Sequence, residues 1–134
     1  MKTVAIVEMW DNKTISVYVP EFDGFSLNGQ GNNVDEAKRS LQECIDEYVS
    51  MIKEQGREVP ESLKNVEFEY KYDIASFFEC FKFLSVSTFA KYAGINPSLM
   101  RQYKQRIAFA SESQKAKIED AIHRAGSELC AVKI

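Results

Sequence analysis

The apolar pattern predicts an α+β protein in two parts, a β-β-β-α-β first half over 1–72 and an all-α second half over 73–134. Three observations carry this reading. Two β-branched runs open the chain, a single long stripe at helical spacing follows, and after Tyr72 the alternation of a strand gives way to short helical clusters.

Residues 3–9 (TVAIVEM) and 14–19 (TISVYV) read as a hairpin joined through Trp10-Asp11-Asn12-Lys13, with Asp11-Asn12 as the turn signal. Pro20 ends the second strand, and Phe22-Asp23-Gly24 makes a turn. Phe25 to Gln30 is a third, weaker strand, loosened by Gly29 and Gly31. Asn33 and Glu36 have the spacing of a capping box, in which the first side chain caps and the second reaches back. Ala37, Leu41, Cys44, Ile45, Tyr48 and Ile52 then recur at steps of three and four until Gly56 and Pro60 stop the helix. Val66, Phe68, Tyr70 and Tyr72 alternate with Glu67, Glu69 and Lys71, a strand with one buried face. One helix laid across a small, mainly antiparallel sheet buries both apolar surfaces.

In the second half, Asp73 caps a short, very apolar helix carrying Ile74, Phe77, Phe78, Phe81 and Phe83–Leu84. Ser87 is read as the cap of a second helix, Thr88 to Ala93, and Gly94 supplies a residue tolerant of positive φ. Asn96 caps a third helix with Pro97 at its first position, where a missing N–H costs nothing. Ser111-x-x-Gln114 opens a fourth, bearing Ile118, Ala121, Ile122 and Ala125 and closed by Gly126, and Ser127 to Ile134 is read as a terminal strand.

Charge divides along the same line. Residues 1–72 hold 8 Lys/Arg against 14 Asp/Glu, and residues 73–134 hold 9 against 6, so a net charge of −3 conceals an acidic part and a basic part. No acidic residue occurs from Cys80 to Ser111, whereas Lys82, Lys91, Arg101, Lys104 and Arg106 fall inside that window. Such a positive field suits a polyanion, because bound cations displace its condensed counterions. Ala90-x-x-x-Gly94-Ile95 followed by Met100 and Tyr103 has the spacing of a helix-turn-helix: small Ala90 permits close approach, Gly94 turns, and Ile95 with Met100 fills the angle. Ordinary helical hairpins share that spacing, and its coincidence with the acid-free window favours DNA.

At about 100° per residue, Leu99, Met100, Tyr103 and Ile107 share one side of the third helix, which turns Ser98, Arg101 and Gln105 away, flanked by Gln102 and Lys104. Arg forks onto guanine and Gln onto adenine, while Lys and Ser hold phosphates. Ser87, Thr88 and Asn96 lie at helix starts, where N–H groups suit a phosphate. The predicted DNA contacts are therefore Ser87, Thr88, Asn96, Ser98, Arg101, Gln102, Lys104 and Gln105.

Catalysis finds less support. A small sheet carrying a helix resembles the front of an RNase H-type nuclease, which needs acids converging on two divalent ions. Glu8, Asp11, Glu43, Glu47 and Asp73 have no distinctive spacing, His123 is the only histidine, and no metal cluster, phosphate loop or cofactor motif stands out. The chain is read as not an enzyme, with no cofactor or metal. Three cysteines without CxxC spacing fit a reducing compartment. The N-terminal apolar run is too short for a signal peptide, and Glu79 and Lys82 interrupt the greasiest stretch, so a cytoplasmic protein with no membrane partner is expected.

The order of these pieces resembles the HicB family of antitoxins. Val19-Pro20-Glu21-Phe22-Asp23-Gly24-Phe25, then Gly31 and Val34-Asp35-Glu36-Ala37, is similar to that family's strand–"P-D-L-P-G"–strand–helix signature, with Asp23 where the family often has Pro and an added Gly29. Residues 73–128, with Ser76-Phe77-Phe78 and Phe89 through Tyr103, look like the helix-turn-helix half of HicB-like proteins, although Gln105 to Ser111 departs from the Gly and Pro-Ser often seen there. The resemblance implies a degenerate RNase H-like domain over 1–72 that neutralises a small basic, mRNA-cleaving HicA-like toxin. It also implies a helix-turn-helix domain over 73–134 that represses its own operon by binding operator DNA as a homodimer or higher oligomer. Glu21, Phe22, Asp23 and Phe25 are the expected toxin contacts, chosen as an exposed acid-and-aromatic loop. The alternative is a stand-alone regulator whose first half senses a ligand or oligomerises.

Overall fold

The computed structural model describes residues 2–10 and 13–134. Its elements run β1 (Thr3–Met9), β2 (Ile15–Tyr18), β3 (Asn28–Gly31), α1 (Val34–Glu54), a 3-10 turn (Glu61–Leu63), β4 (Phe68–Tyr72), α2 (Ile74–Cys80), α3 (Val86–Ala93), α4 (Pro97–Lys104) and α5 (Glu112–Cys130). This is a mixed α/β chain with one four-stranded sheet and five α-helices among the described residues. The hairpin turn signal Asp11-Asn12 lies outside the described residues.

The chain forms two compact units, divided between Cys80 and Phe81. The change of period at Tyr72–Asp73 marks the passage from strand to helix, and the units separate eight residues later. The physical reason is α2. Asp73 Oδ1 caps it by accepting from the Ser76 N–H at 3.1 Å, and fully buried Ser76 accepts from the Met9 N–H at 2.9 Å, tying α2 to the end of β1. With the division at Cys80, the second unit holds 9 Lys/Arg against 4 Asp/Glu, a sharper asymmetry than the sequence boundary suggests.

In the first unit the strand order is β3-β2-β1-β4, with β2 antiparallel to both neighbours and β4 parallel to β1. The registers Val7↔Val17, Val17↔Gly29 and Val7↔Tyr72 place these residues on one face of the sheet. Ala5, Val7, Met9, Ile15 and Val17 form the core there with Ala37, Leu41, Ile45 and Ile52 of α1, the stripe read from the sequence. The capping box forms with a small change. Asn33 Oδ1 accepts from the Glu36 N–H at 2.8 Å, and Glu36 reaches back to the N–H of Asn32 at 2.8 Å.

Strand β3 begins at Asn28, later than the predicted Phe25, and its glycines have a purpose the sequence reading missed. A Cβ on Gly29 would stand 2.5 Å from the Ala37 carbonyl oxygen and 2.9 Å from Leu41 Cα; one on Gly31 would stand 2.7 Å from the Ala37 nitrogen. Helix α1 therefore lies directly on the β3 backbone, and only glycine leaves room.

The second unit is built from α3, α4 and α5. Ser85, not Ser87, caps α3, its Oγ accepting from the Thr88 N–H at 3.3 Å, so the helix begins two residues earlier than predicted. Gly94 ends it at φ 74°, and the Ile95 N–H bonds back to the Ala90 carbonyl at 2.9 Å. Asn96 Oδ1 accepts from Ser98 N–H at 2.8 Å to start α4, with Pro97 in the first turn as expected. Phe89, Ala90, Ala93, Ile95, Met100, Tyr103, Ile118 and Ala121 are the buried hydrophobics of this unit.

Ser111 caps α5 as predicted, through the Gln114 N–H at 3.2 Å. Gly126 does not close the helix, and the predicted terminal strand is instead helix through Cys130. A glycine inside a helix costs only about 1 kcal/mol. Contacts on and beyond that turn hold the continuation: the Tyr92 hydroxyl donates to Glu128 at 3.0 Å, and the Arg124 guanidinium lies 4.7 Å from the Tyr92 ring centroid.

Candidate nucleic-acid interface

The turn Gly94-Ile95-Asn96 sets α4 against α3 around Ala90, Ile95, Met100 and Tyr103, all buried, with Ala90 and Met100 fully so. Burying Met100 and Tyr103 fixes the rotation of α4 about its axis. Ser98, Arg101 and Gln102 are consequently exposed and Lys104 half-exposed, as the helical wheel predicts. Gln105 is exposed as the C-cap, whereas Ile107, which the wheel puts on the buried side, lies beyond the end of α4 at Lys104 and is 68% exposed. Thr88 and Asn96 are also exposed, and Ser87 is half-buried in the first turn of α3.

Two of the predicted residues have structural duties. Asn96 spends its side-chain oxygen on the α4 cap. Ser87 does not cap α3; its Oγ accepts from Arg101 Nη1 at 2.9 Å, while Ser98 Oγ accepts from Arg101 Nη2 at 3.1 Å. The structure thereby gathers Ser87, Ser98 and Arg101 into one cluster, which no local spacing reveals because Ser87 and Arg101 stand on different helices.

All four carboxylates of this unit lie on α5, and three are already engaged: Glu112 with Lys115 at 3.3 Å, Asp120 with Arg124 at 2.9 Å and Glu128 with Tyr92. The outward face of α4 itself carries donors, amides and positive charge with no carboxylate, a surface able to pair with phosphate oxygens and with the acceptors of base edges.

The expected toxin-contact loop is only partly exposed. Phe22 is 9% exposed and belongs to the core of the first unit. Phe25 is half-buried, packed edge-on against Tyr48 at 5.1 Å between centroids. The aromatics on either side of the left-handed turn at Asp23 (φ 44°) and Gly24 (φ 79°) fold inward, Phe22 into the core and Phe25 against Tyr48 of α1. Glu21 and Asp23 remain exposed, and Asp23 accepts from the Ser62 hydroxyl at 2.7 Å.

The carboxylates weighed for nuclease chemistry are occupied or scattered. Glu8 accepts from Trp10 Nε1 at 2.7 Å and from the Tyr18 hydroxyl at 3.1 Å, Asp73 caps α2, and Asp11 lies outside the described residues. Burial, together with the Glu8 carboxylate, pushes the Tyr18 phenol above its ordinary value. No group of three or more His, Cys, Asp or Glu among the described residues is placed to hold a metal ion, and no described helix is long and apolar enough to cross a membrane. Comparison of the chain with protein-family models, curated proteins and solved structures returned no match.

Proposed function

We propose that this chain binds duplex DNA through α4, acting as a helix-turn-helix repressor, and that its first unit neutralises a small basic toxin of the mRNA-cleaving kind. The observation that carries the reading is the outward face of α4, where Ser98, Arg101, Gln102, Lys104 and Gln105 reach solvent without a carboxylate among them. Arg101 and the two glutamines supply base readout, and Lys104 with Thr88 supplies phosphate contacts. A homodimer would present two α4 helices about 34 Å apart to a palindromic operator.

The acidic composition of the first unit favours a basic partner. On α1, Glu43, Asp46, Glu47 and Glu54 border a shallow surface pocket, and Gln42 donates to Asp46 at 3.0 Å. Opposite charge of this kind raises the rate of encounter and suppresses wrong partners. The degenerate RNase H-like description of this unit rests on the HicB resemblance together with the engaged carboxylates above.

The test has two arms. Labelled duplex from upstream of the coding sequence, titrated with the protein, is expected to bind more tightly than a shuffled duplex. The tagged protein, co-expressed with the product of a neighbouring small basic gene, is expected to elute with it, and the freed partner to cleave RNA. DNA binding without a complex leaves a stand-alone regulator with a sensing or oligomerising first unit; failure of both arms removes the proposal.

A further inference from the structure

The Arg101 guanidinium is held from two sides before any ligand arrives. Its Nη1 donates to Ser87 on α3 at 2.9 Å and its Nη2 to Ser98, one turn earlier on α4, at 3.1 Å. Long arginine side chains on exposed helix faces are ordinarily free to sample many rotamers, and ordering them at an interface opposes binding. Anchoring across two helices removes much of that freedom in advance. It also ties the angle between α3 and α4 to the position of the guanidinium.

The choice of anchor has an electrostatic consequence. A carboxylate would hold the guanidinium at least as well, but it would cancel the charge and compete with the DNA. Hydroxyls hold it while leaving the charge whole, and the acid-free stretch from Cys80 to Ser111 keeps any carboxylate of that segment out of reach. The remaining N–H groups of the fork have no partner among the described residues. A guanidinium fixed in plane and orientation, with N–H groups still to donate, matches the paired O6 and N7 acceptors of guanine in the major groove.

We infer that Ser87 and Ser98 are positioning residues that orient Arg101 for guanine, so that sequence discrimination depends on two side chains that carry no sequence-reading fork of their own. Ser87 therefore acts through Arg101 and not as a helix cap. This inference rests on the DNA reading above and adds to it which residues set specificity and which base they select.

The experiment selects bound duplexes from a randomised library with the intact wild-type protein, then measures affinity for the enriched duplex and for its shuffled counterpart. The wild type is expected to enrich guanine at one position of each half-site. S87A and S98A are each expected to lower the ratio of enriched to shuffled affinity by roughly fivefold or more, with the melting temperature unchanged. S87T, which keeps the hydroxyl, is expected to retain discrimination. In an R101A background, S87A is expected to have no further effect, the signature of action through Arg101. Enrichment by the wild type with S87A discriminating equally well, or with S87A still lowering the ratio in the R101A background, overturns the positioning role while sparing the DNA reading. No enrichment by the wild type overturns the DNA reading and the guanine assignment together.

Discussion

Helices α1 and α4 each bury one apolar stripe and turn a polar face to solvent, yet the two faces are chemically opposite. The exposed side of α1 carries Glu43, Asp46, Glu47 and Glu54, whereas that of α4 and its C-cap carries Ser98, Arg101, Gln102 and Gln105. Their seats differ as well. Helix α1 is 21 residues long and lies on the bare backbone of β3, while α4 has 8 residues and is rotated into place by Met100 and Tyr103. A long helix against a glycine-bearing strand gains its stability from close approach. A short helix depends on caps and on one or two large side chains, so its outward face is free to be chosen for chemistry.

The largest effect that would break this comparison comes from Gly29. Gly29→Val is expected to destabilise the first unit by about 3 kcal/mol or more, since its Cβ would meet backbone on α1 that cannot step aside. Urea unfolding followed by Trp10, the only tryptophan, reads this directly. An unchanged midpoint would mean that α1 does not rest on β3.

Met100→Ala is the counterpart in the second unit. The side chain is fully buried, so truncation is expected to cost about 2–5 kcal/mol and to abolish DNA binding by releasing the rotation of α4. Loss of amide-exchange protection in α3 and α4 is the check. Retained DNA binding by a destabilised protein would argue that the orientation of α4 is set elsewhere.

Arg101→Ala and Lys104→Ala separate reading from holding. The first is expected to weaken binding to an enriched duplex by about 1–3 kcal/mol while sparing random DNA. The second is expected to weaken both and to lower the salt slope by about 1. Equal loss on both duplexes for Arg101→Ala would contradict a base-reading role.

The pattern of these expectations explains what was legible in the sequence. Local rules reached the caps at Asn33, Asn96 and Ser111, the stripe of α1, the turn at Gly94 and the outward set on α4, because each depends on residues three or four apart. Features made by tertiary contact were not legible. Gly29 and Gly31 looked like weakness in a strand, and only the seat of α1 gives them a reason. Composition points to Ser87 as the cap of α3, whereas the structure gives that role to Ser85 and pairs Ser87 with Arg101 on another helix. Phe22 looked exposed in an acidic loop because sequence alone does not show that Asp23 and Gly24 fold the segment inward. The end of α5 escapes local rules for the same reason, since Tyr92 bonds Glu128 beyond the Gly126 that local rules take as the stop, and Arg124 lies over the same ring.

Smaller effects sharpen the contrast in capping and titration. Asn33→Ala is expected to cost about 1 kcal/mol by removing the α1 cap, measured by the same urea titration, and a silent substitution would leave Glu36 as the sufficient cap. Burial pushes the Tyr72 phenol above its ordinary value, with Cys80, Tyr70 and Asp35 adding to the shift as negative neighbours. The folded value thus exceeds the unfolded one of about 10, so this contribution is present in full below pH 10 and lost as pH climbs through the folded value. Tyr72→Phe is expected to reduce the alkaline fall of the urea midpoint, and an unchanged fall would assign it to other groups.

The most direct test of the central claim is an amide NMR titration of the isotope-labelled full chain with a duplex enriched from the randomised library. The account predicts shifts concentrated at the start of α3 and along Ser98, Arg101, Gln102, Lys104 and Gln105, with the sheet residues of the first unit unmoved. Shifts centred on the sheet, or none on α4 while the duplex binds, would contradict it.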